Sequence, residues 1–307
     1  MISQTETNVT FPDTRDSIST VYQGTSKIFQ LLRQTYWGPE LMNFGYHPWY
    51  WGLGRFLNGL RSRAVSQRRL AFKAIDLMQV ESGDRVLDVA CGRGGSSYMI
   101  HHSTPAASVN AIDLLPENIE IARRIFPAAD TLVYQQGDAQ SISFPDEMFH
   151  KVLCCEAAFH FPDRGEFLQE ASRVLLPGGR LVVVDFVWRT PEHRVGRNHR
   201  YGKLVRDVWE WDDMSTESEY QSLAADAGLK VASSEDWTNE VTRSLQLLAE
   251  RVVWLQKRAW GRWVLSKKSP LLSSFTPEDW SQIQLEVAAH RFFMEHTYYK
   301  AMVFEKA

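Results

Sequence analysis

Arg85-Val-Leu-Asp88-Val-Ala90-Cys-Gly92-Arg-Gly94-Gly95 is the stretch that decides how the rest of the chain is read. Arg85–Ala90 is a short apolar run held between Gly83-Asp84 and a glycine cluster, the pattern of a strand buried on both faces. Helical periodicity follows at once, over Gly95–His102. Glycines after such a strand let the backbone approach a ligand, and the following helix points its unpaired N–H groups at it. A lone loop of this kind occurs in many doubly wound folds and settles nothing by itself.

Moving downstream, the same alternation repeats. Ser108–Ile112, Thr131–Gln135, His150–Cys155 and Arg180–Val187 read as further strands, the last after the turn Pro177-Gly178-Gly179. Pro116–Phe126 and Arg164–Leu176 read as helices between them; Pro116 sits in a first turn, where its missing N–H costs nothing. Strands joined by helices of this length imply right-handed crossovers and a parallel sheet covered on both faces. Asp113 ends the second strand 21 residues after Gly92, the place for a carboxylate that binds ribose hydroxyls, and Gly137-Asp138-Ala139 follows the third. All three positions fall at carboxyl ends of consecutive strands, where open α/β sheets bind ligands.

The flanks are of different material. Three tryptophans (Trp37, Trp49, Trp51) precede residue 52, eight run from Trp188 to Trp280, and none lies between. Residues 1–20 are polar; 26–79 read as largely helical, interrupted by the aromatic, glycine-rich stretch Tyr36–Gly54. A basic segment, His193–Arg206, is followed by an acidic and aromatic one, Val208–Asp213. Glu217–Ala227 is a helix closed by Gly228, Asn239–Val264 and Pro277–Glu295 have helical periodicity, and Leu229–Trp237 and Tyr299–Glu305 supply a sixth and a seventh strand. The chain thus divides into an N-terminal helical lid segment (1–79), a ligand-binding core (80–190), and substrate-cap insertions with the strands that complete the sheet (191–307).

Composition excludes several classes. With 307 residues, 44% hydrophobic and 23% charged, the chain has ordinary globular usage, and 34 basic against 37 acidic side chains leave a net charge of −3 with no global footprint for nucleic acid. No apolar run reaches a membrane span, so no membrane partner is expected. The N-terminus has neither a basic n-region nor an apolar h-region, and the three cysteines (Cys91, Cys154, Cys155) suit buried reduced thiols; both point to the cytoplasm. No H-x-E or C-x-x-C spacing supports a metal, and none is expected.

Two ligands compete for the loop. A dinucleotide site shows G-x-G-x-x-G, which is missing, and Asp88 beside the loop suits a ligand with a cationic amino group better than one with phosphates. Here the chain resembles the class I S-adenosylmethionine-dependent methyltransferases over roughly residues 80–190. The resemblance rests on VLDVACGRGG, AIDLLPENIEIAR, GDAQSISFPDEMFHKVLCCEAAFHFPD and EASRVLLPGGRLVVVDF. It implies an α/β, Rossmann-like, doubly wound sheet of seven strands, and S-adenosylmethionine as cofactor. Asp88, Ala90, Gly92 and Gly94 would line its methionine end, Asp113 the ribose, Leu114 the adenine face, and Asp138 with Ala139 the adenine amino group. Ala90 departs from the family, which has glycine there. The structural alternative is that the glycines only make a turn and Asp113 only caps a helix.

Within that family the segment is most similar to the natural-product O-methyltransferases that modify sugars and polyketides, which use a histidine with an aspartate. His160 is therefore read as general base and Asp185 as its orienter, against a histidine that merely packs. Glu156 contacts the cofactor or substrate, or accepts helix N–H groups. Asn43-Phe-Gly45-Tyr46 resembles the N-x-G-Y/W element that folds over the cofactor in that group, with Tyr22 acting similarly. Trp49, Tyr50, Trp51, Trp188 and Trp209 would wall an apolar acceptor chamber near His160. Arg197 and Arg200, in the basic segment, would hold anionic groups of a small-molecule or carrier-bound substrate, or else form a solvated helix face. The rival readings are a C-methyltransferase on a prenyl diphosphate, with Glu156 beside a carbocation, and a catalytically inactive cofactor-binding partner subunit. A nucleic-acid methyltransferase is disfavoured by the lack of an N/D-P-P-Y/F tetrapeptide.

Overall fold

The computed structural model describes residues 41–47, 62–127, 129–197, 199–209, 214–242, 254, 256–268 and 270–307. The apolar runs form seven strands: β1 (Arg85–Val89), β2 (Ser108–Asp113), β3 (Leu132–Gln136), β4 (Phe149–Cys155), β5 (Leu175–Trp188), β6 (Leu229–Asp236) and β7 (Thr297–Lys306). They join in one mixed sheet of order β3-β2-β1-β4-β5-β7-β6. The first five are parallel, and β7 lies antiparallel between β5 and β6. Among the described residues the helices are α1 (Ser62–Met78), α2 (Gly95–Ser103), α3 (Pro116–Ile125), α4 (Arg164–Val174), α5 (Arg200–Trp209), α6 (Glu217–Asp226), α7 (Ala259–Lys268), α8 (Pro270–Ser273) and α9 (Pro277–His296).

β5 is apolar without alternation because both its faces are covered. Leu181, Val183 and Val187 pack with Phe167 and Leu168 of α4 and Tyr220 of α6. Val182, Val184, Phe186 and Trp188 pack on the other face, with Leu70 and Met78 of α1 and Phe293 of α9. Helix α1 falls within the expected N-terminal lid segment, yet Leu70, Ala74, Ile75 and Met78 bury it in this core. A smaller cluster, Leu272, Phe275, Trp280 and Ile283, ties α8 to α9.

Helix ends follow local chemistry. Asp163 caps α4 by accepting from the N–H groups of Gly165 (2.7 Å) and Glu166 (3.2 Å). Capping boxes start α6 (Thr216 with Glu219) and α9 (Thr276 with Asp279). The helix expected to run to Leu176 stops at Val174, because Leu175 pairs with Phe149 and starts β5 early. No described helix is long and apolar enough to cross a membrane.

Candidate active site

The carboxyl ends of β1 to β4 ring a cavity of about 700 Å³. The loop after β1 shapes its floor. Ala90 and Gly92 turn at φ 55 and Gly94 at φ 81. Gly92 lines the cavity, and a Cβ there would come within 3.0 Å of Met42. Gly94 does not line it, contrary to the expected contact with the methionine end. A Cβ on Gly94 would lie 2.7 Å from the Tyr134 ring and 2.9 Å from Ala122, so this glycine serves the seating of α2 against α3 and β3. Arg93 and Ser96, next to it, are the residues that face the cavity.

Three aspartates surround that floor. Asp88 is buried at the end of β1 and accepts from the Ser96 and Ser97 hydroxyls, each at 2.6 Å. Burial pushes its carboxyl up to about 6 against the pull of those hydroxyls. Asp113 accepts from Gly92 N–H at 2.8 Å through one oxygen, and from Leu115 N–H and Asn118 Nδ2, both at 3.0 Å, through the other. Capping and ligand binding are therefore not exclusive here, since an ionised carboxylate has about four acceptor sites and three are taken. Asp138 forms an Asx turn with Gln140 N–H at 2.9 Å and lines the cavity with Leu114 and Ala139.

Glu156 closes the far side. It follows β4 at φ 55, and both its oxygens lie 3.1 Å from the Phe44 N–H; the Tyr299 hydroxyl donates to one of them. Burial drives this carboxyl up to about 8 despite both donors. The contact pins the segment 41–47 over the sheet edge. Gln67 of α1 holds the same segment from behind, donating to the carbonyls of Leu41 (3.1 Å) and Asn43 (2.9 Å). Asn43 lines the cavity, but its amide is spent on the segment and on α1: Oδ1 accepts from Gly45 N–H and Nδ2 donates to Gln67 O, both at 3.1 Å. Gly45 turns at φ 77 with Ser66 2.6 Å from where a Cβ would stand, so only glycine lets the segment lie against α1.

His160 ends the short turn Ala158–His160 and lines the same cavity as Asp88, Asp113 and Glu156. It is buried, its ring 4.3 Å from that of Phe159. The hydrogen bonds of the Asp185 carboxylate go to other groups than the His160 ring. Asp185 points to the opposite face of the sheet, where it accepts from the Tyr220 hydroxyl and its neighbour Phe186 N–H, both at 2.8 Å, with Arg164 Nε at 3.9 Å. Burial raises this carboxyl to about 6, opposed first by Arg164. Strand parity puts Asp185 on the face of Val183 and Val187, against Tyr220.

The expected aromatic chamber is not built by the described tryptophans. Trp188 is absent from the cavity lining and packs on Phe293 at 5.7 Å, because it shares the parity of Phe186 and faces α9. Trp237 and Trp280 are buried elsewhere, and Trp254, Trp260 and Trp263 are exposed. Arg200 does not line the cavity; its guanidinium lies 4.6 Å from the Tyr201 ring. Arg194 pairs with Glu219 and Arg206 with Asp207. Tyr22, Trp49, Tyr50 and Trp51 lie outside the described residues, as do the side chains of Arg197 and Trp209. Cys91, Cys154 and Cys155 are free thiols held well above their usual pKa by burial. Among the described residues no group of three His, Cys, Asp or Glu side chains is placed to hold a metal ion.

With this geometry in place, the comparisons with known proteins are direct. Residues 87–183 match the family described as a methyltransferase domain. The chain is 29% identical over 253 residues to the 27-O-demethylrifamycin SV methyltransferase of Amycolatopsis mediterranei, spanning 80% of this chain and 86% of that protein. It is 32% identical over 164 residues to a fatty-acid O-methyltransferase of Mycolicibacterium smegmatis, spanning 53% and 50% of the two. The solved geranyl diphosphate C-methyltransferase of Streptomyces coelicolor, in complex with Mg2+, geranyl diphosphate and S-adenosyl-L-homocysteine, has the same fold, with a TM-score of 0.68 and 16% identity over 96% of this chain and 98% of that one. Strand order, loop and family match together mark residues 87–183 as a class I S-adenosylmethionine-dependent methyltransferase domain. Natural-product methyltransferases are among its relatives.

The cavity fits the cofactor. Gly92 leaves room that a side chain would fill, Asp88 is a buried carboxyl suited to an ammonium group, and Asp113 keeps acceptor capacity for a ribose hydroxyl. Leu114 with Asp138 offers an apolar face and a polar edge to the purine.

Proposed function

We propose that the enzyme methylates a hydroxyl oxygen of a bulky, mostly apolar small molecule, with His160 as general base. The observation that carries the reading is that a buried histidine lines the cavity shared by the glycine loop, Asp88, Asp113 and Glu156. S-adenosylmethionine, when bound, supplies a sulfonium methyl group that only needs an aligned nucleophile. An alcohol is a poor nucleophile near neutral pH, so a base within hydrogen-bond reach of the acceptor adds about 10²–10⁴-fold. Asp88, Asp113 and Asp138 hold the cofactor, the 41–47 segment with Met42 covers it, and burial of the site excludes water. The names of two relatives, which act on a rifamycin precursor and on fatty acids, support oxygen as the acceptor atom.

At finer grain, the acceptor is a polyketide or peptide alcohol. In length and in its N-terminal aromatic element the chain resembles the O-methyltransferase of microcystin biosynthesis, so the hydroxyl of the Adda unit, free or carrier-bound, is the first acceptor to assay. Localisation in the cytoplasm goes with this reading.

The test is His160→Ala. Methyl transfer is expected to fall at least a hundredfold while S-adenosylhomocysteine affinity, read by calorimetry, stays within about threefold. Unchanged transfer in that variant, with loss of activity in Glu156→Gln instead, would favour carbon methylation beside a cation. Cofactor binding by the wild type without transfer to any acceptor would leave the inactive cofactor-binding partner reading, and absence of cofactor binding would sink both enzyme readings.

A further inference from the structure

The tryptophans that do not reach the cavity are themselves arranged. Trp254, Trp260 and Trp263 expose 47%, 53% and 62% of their surface, whereas tryptophan is ordinarily among the more buried residues. Trp254 and Trp260 touch edge to face at 5.2 Å. Trp260, Trp263 and Lys267 follow one another at i, i+3 and i+7 and so share one side of α7, and Gly261 is buried on another. Leu271, in the following helix α8, is 36% exposed.

Charge is as one-sided as the aromatics. Residues 254–268 contain Lys257, Arg258, Arg262, Lys267 and Lys268 and no acidic side chain, in a chain whose overall charge is −3. The Arg258 guanidinium sits 4.0 Å over the Trp254 ring, and the Lys267 ammonium lies 5.9 Å from that of Trp263. Indole rings with one apolar body and one N–H, interleaved with long cationic side chains, match a surface that is apolar below and anionic above.

We propose that this face of α7, with Trp254 and Leu271, seats the enzyme on the surface of an anionic lipid bilayer. The contact is peripheral: indoles enter the headgroup boundary while the neighbouring cations, Lys267 among them, meet lipid phosphates, and no described helix spans. The lack of a spanning run bears on crossing a membrane and not on contact with its surface. The occupant follows from charge complementarity, because residues 254–268 hold cations and indole rings but no carboxylate with which to answer basic groups on a partner. The proposal does not depend on oxygen being the acceptor atom.

Co-sedimentation of the full chain with vesicles tests it, using phosphatidylcholine alone and with about 30% phosphatidylglycerol. Partition onto the anionic vesicles should exceed that onto neutral ones at least about tenfold, fall at high salt, and shift the tryptophan emission to the blue. Trp260→Ser with Trp263→Ser should abolish the blue shift and most of the binding. Arg262→Gln with Lys267→Gln should lower partition about fivefold per cation removed. Both variants should keep wild-type S-adenosylhomocysteine affinity, since none of these residues lines the cavity. Equal partition onto neutral and anionic vesicles, or full binding in both folded variants, would overturn the proposal. So would a protein-concentration-dependent dimer that the tryptophan variants abolish, with no vesicle binding, which would assign the face to a second copy.

Discussion

Ala90 holds a left-handed backbone at φ 55, where the methyl group crowds the following carbonyl. Replacing it with glycine removes that crowding but adds unfolded-state freedom, so Ala90→Gly should stabilise the protein by up to about 1 kcal/mol. Urea unfolding with an unchanged slope is the check. Glu156 gives a pH signature. Its folded-state pKa of about 8 lies above its unfolded value, as do those of Asp88 and Asp185 at about 6. The folded protein therefore binds more protons than the unfolded chain, and stability is lost as pH rises from the ordinary carboxylate range through those values. The ligand-free melting temperature should be lower at pH 8 than at pH 6, and Glu156→Gln should flatten most of that change. A melting temperature that rises over the interval would contradict the burial argument. At this scale the sequence was partly readable. Asp88, Asp113 and Asp138 each end a strand, so spacing places them at one edge. The role of Tyr299 was not readable, because it meets Glu156 across 143 residues. Ser96 and Asn118 were missed although both sit one turn into a helix that follows a marked residue, which is the signal that would have found them.

At the scale of elements, the covering segment 41–47 depends on α1. Gln67 is buried and its amide satisfies two carbonyls of that segment. Gln67→Ala leaves both without these donors, at about 1–3 kcal/mol each if they stay buried. Since Leu41, Met42 and Asn43 line the cavity, the variant should melt lower and bind S-adenosylhomocysteine at least about tenfold more weakly. Loss of stability with unchanged affinity would show that the segment does not cover the cofactor. The N-x-G-Y pattern marks this segment, which Glu156 and Gln67 hold at the sheet edge. What the pattern left out is that the asparagine amide is spent on Gly45 and on the Gln67 carbonyl of α1. Asp185 illustrates the complementary limit: adjacency of β4 and β5 was legible, but a continuous apolar strand hides which face each residue takes.

For the whole molecule, the uneven tryptophans suggested two flanks meeting over one pocket. The described ones divide otherwise, with Trp188, Trp237 and Trp280 in cores and Trp254, Trp260 and Trp263 on a basic surface. Composition revealed that the flanks differ from the core, but burial depends on long-range packing that no local window contains. The fold itself was legible because β1 to β5 obey one repeated strand–helix rhythm; the antiparallel β7 between β5 and β6 has no such marker. The central claim is that this cavity brings the cofactor and a hydroxyl together beside His160. The most direct measurement is single-turnover transfer of labelled methyl from S-adenosylmethionine to a panel of polyketide, peptide, sugar and prenyl acceptors, for wild type and His160→Ala, with the product position mapped by mass spectrometry. The account predicts methyl on oxygen and at least a hundredfold slower transfer in the variant. Methyl on carbon, or equal rates in the two proteins, would contradict it.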